Sequence, residues 1–117
     1  MRNFNINEFD CPSEEGSGSK MDKEFLQLLD NARDVAGVPF KITSGYRTKA
    51  HNREVGGVNG SSHTKGLAAD LACSSSAHRF VIITALLEAG FTRIGVASNF
   101  IHVDYDHDKV GQVIWTY

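Results

Sequence analysis

The stretch Ser61-Ser62-His63-Thr64-Lys65-Gly66-Leu67-Ala68-Ala69-Asp70-Leu71-Ala72 holds the decisive anomaly of this chain. Gly66 to Ala72 has the small, apolar, turn-bounded character of a strand, yet Asp70 stands inside it. Side chains alternate across a strand. Asp70 therefore shares a face with Ala68 and Gly66, while Leu67, Ala69 and Leu71 point the other way, into a core. A carboxylate among small neighbours leaves room for an ion or a substrate.

A second strand pattern, Phe100-Ile101-His102-Val103-Asp104-Tyr105-Asp106, divides the same way. Ile101, Val103 and Tyr105 share one face; His102, Asp104 and Asp106 share the other. Two histidines and a carboxylate can supply the protein half of a catalytic zinc site, which takes three ligands and leaves a fourth position open. Spacing alone also permits a simpler reading, since the polar face of a strand is often just solvated.

Outward from these strands, Phe25, Leu28, Leu29, Ala32, Val35 and Ala36 recur at helical steps from Asp22 onward. Gly37 and Pro39 stop that helix, and Ser19 or Asp22 can cap it. A second helix is expected from about Ala77 to Glu88, with Phe80, Ile83 and Leu87 forming its apolar stripe and Val81, Ile82, Ala85 and Leu86 widening it. Ser74 to Ser76 are its candidate caps and Gly90 its stop. Further strands are expected at Phe40–Thr43, Arg93–Val96 and Gln112–Tyr117. The segment from Ala50 to Lys65, with Gly56, Gly57 and Gly60, lacks periodicity and reads as one long loop. Long ordered loops in small domains usually carry function. The expected class is α+β, with helices on a central antiparallel sheet, on whose polar face any metal site would lie.

With 117 residues, 41% of them apolar and 22% charged, the chain is expected to form a single domain over residues 1–117. Its net charge of -2 argues against binding nucleic acid or an anionic membrane, and no apolar run is long enough for a membrane span. A monomer is expected. Met1-Arg2-Asn3-Phe4-Asn5 has no signal-peptide character. Cys11 and Cys73 show no metal-binding spacing and read as unpaired thiols. The N-terminal arm with Phe4, Ile6 and Phe9 is expected to pack on the domain, followed by a Gly- and Ser-rich loop.

The pattern Ser61-x-His63-x-x-Gly66-x-Ala68-x-Asp70, preceded by Ser44-Gly45-Tyr46-Arg47 and followed by Ile101-His102-Val103-Asp104, resembles the zinc D-Ala-D-Ala carboxypeptidase family. Its relatives include phage L-alanoyl-D-glutamate endopeptidases and vancomycin-resistance dipeptidases. The resemblance spans about Phe4 to Tyr105. It implies one zinc ion held by His63, Asp70 and His102, acting on the stem peptide of peptidoglycan. Arg47 matches the family arginine that stabilises charge on the attacked carbonyl. Ser61 matches the serine that contacts substrate or shapes the loop.

One departure matters: many relatives place an acidic general base three residues before the last zinc histidine, where this chain has Asn99. Asp104 is then the nearest replacement base, or else it orients a zinc ligand from behind. Asp106 and His107 are more remote candidates. His51 is expected to organise its loop and His78 to sit on the surface. If no base is present, the alternative is a catalytically weak or inactive zinc-containing module that binds the cell wall. Cell-wall substrate without a leader fits a phage endolysin released by a holin, or a virion component.

Overall fold

The computed structural model describes all 117 residues. Asp22 caps helix α1 (Lys23–Ala36), its carboxylate accepting the Phe25 N–H at 2.9 Å, so the cap is Asp22 and not Ser19. The helix buries Phe25, Leu26, Leu29 and Ala32, while Val35 stays exposed. Ser75 caps the third helix, α3 (Ser76–Ala89), by accepting the His78 N–H. The buried side of α3 is part of the broad apolar face expected, with Ile83 packed partly buried on the core and the rest of the stripe left outside. Ile82, Ala85 and Leu86 face the core, whereas Phe80 is 73% exposed and Leu87 47%. From Phe80 to Leu87 the helix is apolar on nearly every side, so its period singles out no face. Packing against α1 and the sheet makes the choice.

Five strands, β1 (Ile42–Ser44), β2 (Ala68–Ala72), β3 (Arg93–Val96), β4 (Phe100–Asp104) and β5 (Val113–Thr116), form one sheet in the order β1-β2-β4-β3-β5. The first four pair antiparallel, as expected. β5 pairs parallel with β3, which makes the sheet mixed. It runs opposite to β4 but lies on the far side of β3, and alternating hydropathy carries no information on that placement. One sheet face, with Ala69, Leu71, Ile94, Ile101 and Val103, packs on Phe25, Leu29, Ile82 and Leu86 in a continuous core.

The segment expected as a long loop contains structure. Thr48 caps a short helix, α2 (Lys49–Glu54), and Ser61 caps a 3-10 turn (Ser62–Lys65). Elements this short and polar have no apolar stripe to reveal them. The N-terminal arm packs as expected: Phe4 and Phe9 are buried edge to face at 5.4 Å. Asp30 of α1, itself buried, accepts the backbone N–H groups of Arg2 at 3.0 Å and Asn3 at 2.8 Å. Cys11 and Cys73 are unpaired and buried. No helix is long and apolar enough to cross a membrane.

Candidate metal centre

Strand register builds the site. Across the sheet face opposite the core, Ser44 pairs with Asp70, Asp70 with His102, His102 with Gly95, and Gly95 with Trp115. Pairing partners share a face, so this row brings the Asp70 carboxylate beside the His102 imidazole. His63 arrives from the 3-10 turn before β2. Its position is set by Gly45, whose carbonyl oxygen lies 2.8 Å from His63 Nδ1. A Cβ on Gly45 would come within 2.7 Å of the Phe9 Cα, so only glycine lets this strand end approach the arm.

Ligand-capable atoms of His63, Asp70 and His102 lie within 4.8 Å of one another, and all three residues are buried. Asp70 Oδ1 is 3.4 Å from His63 Nε2 and 3.1 Å from His102 Nδ1. Two nitrogens and an oxygen bound to one tetrahedral zinc would be separated by roughly 3.3 Å, given metal–ligand bonds near 2 Å. Outer contacts set both tautomers. A carbonyl only accepts, so His63 Nδ1 carries its proton toward Gly45. His102 Nε2 lies 2.7 Å from Asp104 Oδ2, the shorter of its two carboxylate contacts, so a neutral ring keeps its proton there and faces Asp70 with Nδ1. With both rings neutral, each would turn a lone pair toward Asp70 Oδ1, so that three ligand-capable atoms converge on one point. That is the chemistry of a cation site, and the residues fit zinc.

Electrostatics agree. Burial alone would raise the Asp70 carboxyl, but with protons rather than a metal between these atoms, hydrogen bonding with His102 and His63 outweighs it and holds the group well below the usual carboxylate range. Burial would lower His102, yet Asp104 and Asp70 on either side raise it above the ordinary histidine value. A proton on His102 thus stands where positive charge is wanted. Asp104 is held low against its own burial by His102 and by Arg93, whose Nε donates to Oδ1 at 2.7 Å. Both Asp104 oxygens are engaged, and the residue is 2% exposed.

Arg47 is braced at the rim. Its Nε donates to Ser44 Oγ at 3.1 Å, one terminal nitrogen to Asn52 Oδ1 at 3.2 Å, and the other reaches Asp70 Oδ2 only at 3.5 Å. Ser61 is buried with its hydroxyl accepting the His63 N–H at 3.3 Å, a contact that shapes the turn. Ser62 Oγ donates to Asp106 Oδ2 at 2.8 Å, and Lys65 reaches the same oxygen at 3.0 Å, latching the histidine turn to the end of β4. Far from being solvated, the polar face of β4 is buried at His102 and Asp104, and Asp106, two residues beyond the strand, is buried too.

Every residue expected in the site, Arg47, Ser61, His63, Asp70, His102 and Asp104, lines one cleft of about 370 Å³. Asn99 is exposed and His51 and His78 lie elsewhere; none lines that cleft. Sequence reasoning missed Arg93, Trp115 and Tyr117, which also line it. Arg93 is the first residue of β3 and its partner Asp104 is 11 positions away, a pairing that only the β3–β4 register exposes. A search among curated proteins finds no match. The family model described as Peptidase M15, however, matches residues 2–104, from the buried N-terminal arm through the last residue of β4. Nearly the whole sequence follows that pattern and it ends on the strand that carries His102, so the chain belongs to the Peptidase M15 family of zinc metallopeptidases.

Proposed function

We propose that residues 1–117 form a zinc peptidase domain that hydrolyses an amide bond of the peptidoglycan stem peptide, of the D-Ala-D-Ala carboxypeptidase or L-Ala-D-Glu endopeptidase type. One observation carries this reading: ligand-capable atoms of His63, Asp70 and His102 converge beside a braced arginine in an open cleft. His63, Asp70 and His102 would hold one zinc ion per chain. Zinc there supplies a Lewis acid that polarises the scissile carbonyl and makes water a stronger nucleophile near neutral pH. Arg47 offers planar donors toward the oxygen on which charge develops; Ser44 and Asn52 hold its plane before substrate arrives. Asp104 keeps the His102 proton on Nε2 and so keeps Nδ1 free for the metal. Its two filled acceptor positions support this orienting role over that of a general base.

The same engagement of Asp104, with Asn99 outside the cleft, favours a second reading, a zinc-containing module that binds the wall and turns over slowly. Elemental analysis combined with mass analysis of digested muropeptides separates the two. The hydrolase binds about one zinc per chain and releases a defined product, and His102→Ala loses both. Stoichiometric zinc retained by His102→Ala overturns the ligand set. Bound zinc without product establishes the binding module, and the product mass identifies the bond.

A further inference from the structure

The family match ends at Asp104, yet the cleft does not. Phe100, Trp115 and Tyr117 add an aromatic side to it, and the last two come from β5 and the residue after it. Phe100 and Tyr117 pack with ring centroids 5.2 Å apart. The Trp115 indole lies 5.5 Å from the His102 ring, and the Arg93 guanidinium stacks on it at 5.0 Å. Gly95 makes this arrangement possible. It pairs with Trp115 across the parallel ladder, and a Cβ there would stand 2.7 Å from the indole Nε1 and 2.8 Å from Cε2. No side chain on β3 comes between the indole and the row that carries Asp70 and His102. Trp115 thus extends over the sheet to the edge of the metal centre, and it remains only half buried.

We propose that Trp115 is a substrate-contacting, specificity-determining residue: its indole is the apolar side of the cleft against which the aliphatic part of the peptide beside the scissile amide lies. The inference rests on the peptidase reading of the site. Arg47 and the residues that would hold the metal give the cleft its polar groups; Trp115, beside His102, with Phe100 and Tyr117 adds aromatic surface to the same cleft. A peptide bearing small aliphatic side chains presents both characters at once, carbonyl and carboxylate oxygens for the donors and methyl groups for the rings. Because Arg93 and Asp104 hold the Trp115 neighbourhood from one side and Gly95 from beneath, the ring is in place before binding, which reduces the ordering cost of contact.

Trp115 is the only tryptophan in the chain, so its emission reports this position alone. The test titrates the zinc-free and zinc-loaded protein with a stem pentapeptide ending in D-Ala-D-Ala, reading emission and protection of the indole from acrylamide quenching. Saturable protection is expected in both forms; no protection at saturating peptide overturns the proposal. In steady-state kinetics, Trp115→Ala is expected to raise KM about tenfold or more with kcat little changed, and Trp115→Phe to restore most of it. Zinc content, measured in each variant, is expected to stay the same. A fall in kcat at unchanged KM, or loss of zinc, makes Trp115 a support for His102 instead and overturns contact with substrate. If the zinc-loaded protein cleaves no stem peptide at all, the hydrolase reading fails alone, and quenching with the uncleaved peptide still decides the role of Trp115.

Discussion

At Asp104 the competing roles of a carboxylate beside a metal centre come down to which oxygen is free. One oxygen takes the Arg93 Nε and the other the His102 Nε2, and the side chain is essentially out of solvent. A general base needs an oxygen turned to the reacting water; an orienting group needs both oxygens committed, as they are here. The two roles differ in what Asp104→Asn does to the metal. An amide can accept from only one of these donors and leaves the other unmatched, so zinc affinity is expected to fall about 10- to 100-fold. Competition with a chelator of known affinity measures it. Hydrolysis lost by about 100- to 10,000-fold with zinc affinity unchanged would restore Asp104 as the base. His63 obeys the same logic with a neutral partner. The Gly45 carbonyl fixes its tautomer without adding charge, so the pocket carries only the two carboxylates of Asp70 and Asp104 against its cations.

Among the elements, α3 and the turn that carries His63 differ most from their sequence patterns. The stripe read from Phe80, Ile83 and Leu87 is one of several that an almost wholly apolar helix offers; packing buries Ile82, Ala85 and Leu86 of the widened face, keeps Ile83 partly buried and leaves Phe80 and Leu87 exposed. Leu86→Ala is therefore expected to cost about 2–5 kcal/mol in denaturant unfolding. Phe80→Ser is expected to stay within about 0.5 kcal/mol, because it removes an exposed ring from no packed contact. The reverse order would restore the stripe read from the sequence. The His63 turn depends on a buried carboxylate, Asp106, that accepts from Ser62 and Lys65. Burial opposes its ionisation, but these donors prevail and its carboxyl is lowered. The folded state then binds fewer protons than the unfolded chain near the ordinary carboxylate range. This contribution is complete above about pH 4 and is lost as pH falls through the lowered folded value. Asp106→Asn is expected to cost about 1–3 kcal/mol at neutral pH and to show a shallower loss of stability below about pH 4 than the unaltered protein. Parallel acid limbs in the two proteins would show that Asp106 carries no such linkage.

Taken whole, the molecule is one sheet with two uses. Its apolar face, Ala69, Leu71, Ile101 and Val103, was legible from alternation alone, and so was the opposite row of Asp70 and His102. Period-2 patterning identifies both faces because a polar residue inside an apolar strand has nowhere else to point. Local patterning contains neither strand order nor direction, which hid the parallel β5, the reach of Trp115 over Gly95 and the Arg93–Asp104 pair. The proposed metal centre would draw on three pieces distant in sequence: the His63 turn, β2 and β4. In the unfolded chain, 38 intervening residues separate His63 from His102 and no preformed site exists. Zinc held there would bind the folded state almost exclusively, and its binding energy would add to folding stability. Free zinc at about 1,000 times Kd is expected to stabilise the protein by about 4 kcal/mol, on the order of 15 °C in Tm for a chain of this size. Chelation with EDTA is expected to reverse the shift. His102→Ala is expected to melt at the same temperature with and without zinc, since it removes a ligand, whereas Leu86→Ala keeps the full zinc increment from a lower starting Tm because its damage lies on the other face. A thermal melt of the three proteins, each with zinc and with EDTA, measures all of this. A zinc increment that survives His102→Ala would place the metal elsewhere in the fold.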